Sequence, residues 1–283
     1  MSLRCAVALS LFALPSFAAE PERPRLVVLV VFDQMRGDYL ERWKPLFEKD
    51  GLARMLSDGA WFANCQYPYA TTATGPGHAS MLTGCGPDVH GIINNTWYDR
   101  ASGAVVNCAQ SSRFQRVPPL PKTLPKDELA DDIKELLAKE KTTATTVAAT
   151  EVEKGYGNPD RMLAPTLGDA LKASTNGKAK LIGLSFKDRS ALFPVGPKTD
   201  GAYWLDNIDG MFVTSSYYRD ALPSWVEEIN RKRLVDSWFG KPWHKLRDDL
   251  DYAQFSGPDA VAGEGKGSRQ GVTFPHRMDG GLA

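Results

Sequence analysis

Residues 26–32 (LVVLVVF) form an uninterrupted apolar run rich in valine, closed by Arg25 on one side and Asp33 on the other. The flanking charges cut it to strand length, far short of the ~20 apolar residues that cross a bilayer as a helix. A run without polar alternation predicts a strand covered on both faces, as in a parallel sheet flanked by helices. Residues 180–186 (KLIGLSF) repeat the pattern and end at Lys187-Asp188-Arg189. Asp38 and Glu41 form a capping-box pattern ahead of residues 39–56, where Leu40, Trp43, Leu46, Phe47, Leu52 and Met55 recur at helical spacing with a break at Gly51. Further helices are expected at 127–141, 163–173 and 222–238, the last with Pro223 near its first turn. Residues 59–64 read as another strand. WYDRASGAVVNC reads as a hairpin turning at Ser102-Gly103, and GAYWLDNIDGMFVTSS as one turning at Asp209-Gly210. Residues 118–125 are a Pro-rich linker. Strands alternating with helices predict an α/β chain with a largely parallel sheet. Ligands of such sheets gather beyond the carboxyl ends of strands, which is where Asp33, Lys187 and Arg189 fall.

The chain starts like an exported protein. Arg4 supplies a positive start, residues 5–14 are apolar, and Ser16-Phe17-Ala18 is a small-residue cleavage site, so residues 1–18 are expected to be a signal peptide. Export places the protein in the periplasm or outside the cell, where disulfides are permitted. The mature region holds Cys65, Cys85 and Cys108, an odd set without C-x-x-C spacing, so a zinc knuckle is not expected. Lys+Arg and Asp+Glu both total 34. That balance points to neither a nucleic-acid partner nor a membrane surface, and a charged substrate must be met by a few local groups.

Three places carry candidate chemistry. Asp33, at the end of a buried-type strand, needs a partner there, and a hard cation is one choice beside Arg36 or a helix cap. Thr74 precedes Gly75-Pro76-Gly77-His78. A Gly-rich turn into a helix lets an anion approach the backbone, and the helix N-terminus favours negative charge. A threonine hydroxyl is a poor nucleophile unless a metal lowers its pKa. A plain helix cap is the alternative reading. In an extended chain Lys187 and Arg189 share one side with Asp188 opposite, and two neighbouring cations suit a shared phosphate. GEGKGS at residues 263–268 lacks the P-loop spacing, and neither G-x-S-x-G nor H-E-x-x-H occurs.

These segments together resemble the alkaline phosphatase superfamily, in its type I phosphodiesterase/nucleotide pyrophosphatase branch. The likeness is strongest to exported bacterial alkaline phosphatases with a threonine nucleophile. It is carried in order by VVFDQMRGDYL, YATTATGPGHASMLTG, PDVHGIINNTWYD, GLSFKDRSALFPVG, GAYWLD and FVTSSYYRDALPSWV. The resemblance implies an alkaline-phosphatase-like sandwich, a mainly parallel central sheet between helices. It implies two zinc ions, with Asp33 and Thr74 as ligands. It implies Thr74 as the phosphoryl acceptor, Asn95 as an amide donor to a phosphate oxygen, and Lys187 with Arg189 on the non-bridging oxygens. His78 and His90 fall at motif positions that are structural.

The sequence departs from the family in one respect. The Asp-x-x-x-His pair, the Asp-His pair and the further His that complete the zinc sites are missing, and the likeness fades beyond Trp238. Residues 19–283 are therefore expected to be the N-terminal part of a catalytic domain, truncated at its C-terminus, with a missing C-terminal half as its partner. The parent activity implied is zinc-dependent hydrolysis of small phosphate monoesters through a phosphothreonine intermediate, inactive in this chain alone. The alternatives are a phosphodiesterase or nucleotide pyrophosphatase of the same superfamily, and a non-catalytic fragment.

Overall fold

The structure, a computed structural model, describes residues 24–120, 155–263 and 271–278. The expected signal peptide, the helix at 127–141 and most of the Pro-rich linker lie outside the described residues. The chain divides into two compact units, Met1–Gly37 and Asp38–Ala283.

In the first unit the expected buried strand is not formed. Residues 26–32 lie in an irregular stretch, with Leu26 78 % and Val28 70 % exposed. β-branched residues favour extended backbone, but a strand buried on both faces exists only where neighbours supply ladder partners and cover. Asp33 follows in an exposed turn, before Gln34 at φ 62°. The burial argument for pairing Asp33 with a cation therefore does not hold here.

The second unit begins with short helices: α1 (Tyr39–Arg42) and α2 (Leu52–Asp58). Between them lies a single 3-10 turn, Lys44–Leu46, with Pro45 inside it. The long helix expected over 39–56 is broken there because proline has no N–H to continue the ladder. Asp38 is the N-cap of α1 but makes no side-chain capping bond, so the capping box is not made. Residues 59–64 form no strand. α3 (Thr74–Thr83) ends at Gly84 in the left-handed conformation, and α4 (Pro87–His90) follows.

Both expected hairpins are present. β1 (Thr96–Asp99) pairs antiparallel with β2 (Ala104–Asn107), and Asp99 closes the turn by accepting from the Ser102 amide at 3.0 Å. β3 (Gln110–Ser111) pairs with β5 (Tyr156–Gly157). A four-stranded sheet has the order β4 (Arg116–Val117), β8 (Phe212–Ser215), β7 (Gly201–Leu205), β6 (Ile182–Ser185). Only β6–β7 is parallel among its pairs; β7–β8 and β4–β8 are antiparallel. The sheets described are thus small and mixed, and the mainly parallel expectation is met by one pair. β6 is an edge strand in this sheet, and Ile182 and Leu184 face outward, 44 % and 58 % exposed, so it is not the doubly buried strand its sequence suggested.

α5 (Leu167–Ser174) opens with a complete capping box between Thr166 and Asp169. α6 (Asp188–Leu192) follows β6 directly. A side chain at Gly183 on β6 would run into the Ala191 carbonyl, so only glycine lets α6 lie this close to its strand. α7 (Ser224–Arg231), capped at Pro223, buries Val226. It stops well short of residue 238; a separate 3-10 turn, Asp236–Trp238, follows. β9 (Pro242–Trp243) pairs with β10 (His276–Arg277), and α8 (Ala253–Ser256) lies between them in sequence.

The core joins these parts. Ala79 of α3, Ile92, Cys108, Ala109, Ala191 and Leu192 of α6, Phe193, Ala202 and Trp204 of β7 and Val213 of β8 pack as one cluster. Burying these side chains contributes roughly 1.5–3 kcal/mol for each large one. Their common location fixes α3 and α6 side by side, the two elements that carry most of the candidate site.

Candidate active site

Thr74 is the first residue of α3, preceded by Ala73 in extended backbone. Pro76 has no N–H and the Gly77 amide bonds back to the Ala73 carbonyl at 2.9 Å, so only the amides up to Gly75 lack a partner inside the helix. One of them is already used: the Gly75 amide donates to Asn95 Oδ1 at 2.7 Å. The bond brings two of the candidate residues together across twenty residues of chain. It also commits the carbonyl end of the Asn95 amide to the helix, leaving Nδ2 as the donor end. The Asn95 backbone is fixed too, since its carbonyl accepts from the Cys108 amide at 2.9 Å.

Gly75 is fitted to this spot. A Cβ there would lie 3.0 Å from Cys108 Sγ and 3.2 Å from Asn95 Oδ1. Cys108 is fully buried; burial first, and the Asp188 carboxylate second, push its thiol up to about 12, against Arg189 and Arg161. The sulfur that backs Gly75 therefore also feels the charges at the start of α6, which ties the two halves of the candidate site together.

Lys187 is the N-cap of α6, with extended backbone and an exposed side chain. Arg189 lies inside the first turn of that helix. The side-by-side arrangement expected of an extended chain is therefore not made: the strand ends at Ser185 and the chain turns helical at Asp188. Residues two apart in a helix do not share a face. What the helical start provides instead is a buried anion beside the cations. Asp188 Oδ1 accepts from the Arg189 amide at 2.7 Å and lies 3.6 Å from Arg189 Nη1, while Oδ2 accepts from Gln110 Nε2 at 2.9 Å. Sequence reading left Asp188 pointing away and gave no signal for Gln110 or Cys108, because contacts this far apart in sequence leave no local pattern.

Histidines 78 and 90 are built into the fold. His78 Nδ1 is 2.9 Å from the Thr74 carbonyl. His90 Nδ1 accepts from the Ile92 amide at 3.1 Å, which makes Nε2 the protonated nitrogen, donating to Ser80 Oγ at 2.9 Å. Burial pushes His90 below the usual histidine range. His276 packs against Phe274 and Trp243. Among the described residues no three His, Cys, Asp or Glu side chains converge as a metal-binding group. Asp33 and Thr74 belong to different compact units. A zinc site takes three or four protein ligands, and a two-metal centre more. The described donors do not fit a two-zinc site. Among the described residues, Cys65, Cys85 and Cys108 are free thiols.

A small α/β core thus presents a threonine at a helix start, an asparagine bonded to the next amide, and two basic residues at the start of the adjoining helix. The chain belongs to the type I phosphodiesterase / nucleotide pyrophosphatase family, whose pattern it matches over residues 27–262. It is 34% identical over 255 residues to alkaline phosphatase PafA of Elizabethkingia meningoseptica, covering 90% of this chain and 41% of that protein. To alkaline phosphatase PhoV of Synechococcus elongatus it is 34% identical over 256 residues, covering 90% of this chain and 40% of that one. The crystal structure of wild-type PafA superposes with a TM-score of 0.69 at 32% identity, over 86% of this chain and 41% of that one. The chain thus shares the PafA fold over its matched part and spans about two-fifths of the length of these relatives.

Proposed function

We propose that the chain carries the phosphate-handling part of an exported phosphomonoesterase. The observation that carries this reading is the Gly75–Asn95 bond, which sets Thr74 and an amide donor at one helix start. In the proposed reaction the Thr74 oxygen bonds to phosphorus as the ester P–O bond breaks. The alcohol leaves with a proton, and water then cleaves the phosphothreonine to release inorganic phosphate. Asn95 Nδ2 and the start of α3 hold non-bridging oxygens, and Lys187 and Arg189 balance the dianion. A diester carries one charge fewer, so two cations favour a monoester over a phosphodiesterase or nucleotide pyrophosphatase reaction. In this reading residues 1–18 are a signal peptide, residues 19–283 belong to the catalytic domain, and the location is periplasmic or secreted. The parallel central sheet of the sandwich and the zinc ligands expected alongside Asp33 and Thr74 come from a polypeptide segment other than the described residues.

The test uses the purified chain with excess zinc and inorganic phosphate. Phosphate is expected to shift the backbone amide resonances of Thr74, Gly75 and Gly77 and the Asn95 side-chain amide, with weak zinc binding and no aryl-phosphate turnover. Shifts confined to other parts of the chain would overturn the site. Tight binding of two zinc ions with turnover would overturn the need for a second segment.

A further inference from the structure

Asn95 stands where the β1–β2 ribbon stops. The regular register begins with Thr96 opposite Asn107, which puts Asn95 opposite Cys108 in the next position. In a continued antiparallel ladder such a pair exchanges two backbone bonds. Among the described residues one of them is made, from the Cys108 amide to the Asn95 carbonyl at 2.9 Å. The Asn95 N–H turns elsewhere, to Oδ1 of Asn94 at 2.8 Å. A backbone N–H can only donate, so the atom that faces it is the amide oxygen of Asn94 and not its nitrogen.

Asn95 is thus held at three of its four polar groups. Its carbonyl is held by Cys108, its Oδ1 by the Gly75 amide at 2.7 Å, and its N–H by Asn94. Two of these partners are backbone amides of the core and of α3. The third is a side chain, so it alone can be removed by substitution without disturbing a packed element. Asn94 is exposed at its side chain, but its backbone is anchored. Its carbonyl lies against Gly75, where a Cβ would meet it at 3.4 Å. Two residues earlier Ile92 is fully buried, and its amide donates to His90 Nδ1 at 3.1 Å.

We propose that Asn94 is a positioning residue: its side-chain oxygen stands in for the ladder partner that Asn95 lacks, and so keeps the Asn95 amide turned onto the start of α3. This rests on the reading of Thr74 and Asn95 as parts of a phosphate site. Without that acceptor, water takes the Asn95 N–H, the peptide between residues 94 and 95 gains freedom, and Oδ1 leaves Gly75 for part of the time. The loss then shows at places other than residue 94. The Gly75 amide becomes open to solvent exchange, and Asn95 Nδ2 spends less time where a phosphate oxygen would meet it. A side chain that served only its own turn would move neither.

The experiment follows amide hydrogen exchange by NMR in the full chain, and then titrates inorganic phosphate. Asn94→Ala removes the acceptor, while Asn94→Asp keeps an oxygen in the same place. Residue 94 is exposed, so neither change opens a cavity, and far-UV circular dichroism is expected to stay as it is. In Asn94→Ala the Gly75 amide is expected to exchange about fivefold faster, the scale of one hydrogen bond. Phosphate, read from the Gly75 resonance, is expected to bind about threefold more weakly, since the bond is loosened and not abolished. In Asn94→Asp the Gly75 exchange rate is expected to match that of the unaltered chain. A Gly75 rate unchanged by Asn94→Ala, or raised equally by Asn94→Asp, overturns the proposal, and so does a phosphate affinity that Asn94→Ala leaves unchanged. If the unaltered chain shows no phosphate response at Gly75, the phosphate-site reading fails by itself, while the Gly75 exchange rates still decide whether Asn94 positions Asn95.

Discussion

Replacing Asp200 with asparagine isolates a single charge that ties α5 to the start of β6. Asp200 accepts from Lys172 Nζ at 2.7 Å, from Lys180 Nζ at 3.1 Å and from the Leu181 amide at 2.8 Å. Burial works against its ionised form, but these partners outweigh it and hold the carboxyl at about 2, below its ordinary 3.8. A shift of that size corresponds to about 2 kcal/mol of folding stability at neutral pH. Lys180 is 81 % exposed, and screening of its share trims the value to about 1–2 kcal/mol. The folded-state pKa lies below the unfolded one, so the contribution is present above about pH 4 and lost as pH falls toward 2. Asp200→Asn keeps an acceptor for the Leu181 amide and removes only the charge. Urea unfolding of both proteins should show the variant less stable by about 1–2 kcal/mol at pH 7, by about half of that at pH 3, and by almost nothing at pH 2. A difference that stays constant from pH 7 to pH 2 would show that the loss comes from altered packing, and the electrostatic reasoning would be wrong.

Gly75→Ala should cost about 1–3 kcal/mol in denaturant unfolding, because the new methyl meets Cys108 Sγ and Asn95 Oδ1. Adding Cys108→Ala should recover part of that loss, and simple additivity of the two changes would show that sulfur and methyl do not meet. Cys65 is exposed and Cys108 is buried with its thiol pushed up to about 12. A thiol reagent at pH 8 should therefore label Cys65 rapidly and Cys108 only after unfolding; equal rates, read by mass spectrometry, would contradict the burial.

The hairpins were legible because their turns are local: Asp99 to Gly103 and Asp209-Gly210 carry their own turn chemistry. The candidate site residues rest on a different source, the resemblance of several motifs in order. The geometry of the site was not legible. Treating Lys187 to Arg189 as extended chain missed the helix that begins at Asp188, and with it the buried carboxylate. The apolar runs misled most. Composition at residues 26–32 and 180–186 specifies a strand that could be covered, whereas coverage depends on partners elsewhere in the fold. β6 found one neighbour, β7, and stayed half open. Residues 26–32 form no strand among the described residues.

That exposed segment has a consequence for how the protein behaves in a cell. An apolar, valine-rich stretch with neither charge nor proline has the make-up of sequences that stack into cross-β fibrils. While it stays uncovered, identical copies can add to one another through it, and the tendency rises with concentration. Holdase chaperones that recognise extended apolar peptides would compete for the same residues. The amount of soluble protein would then be set less by the stability of the core around Phe193 and Trp204 than by how quickly residues 26–32 are sheltered.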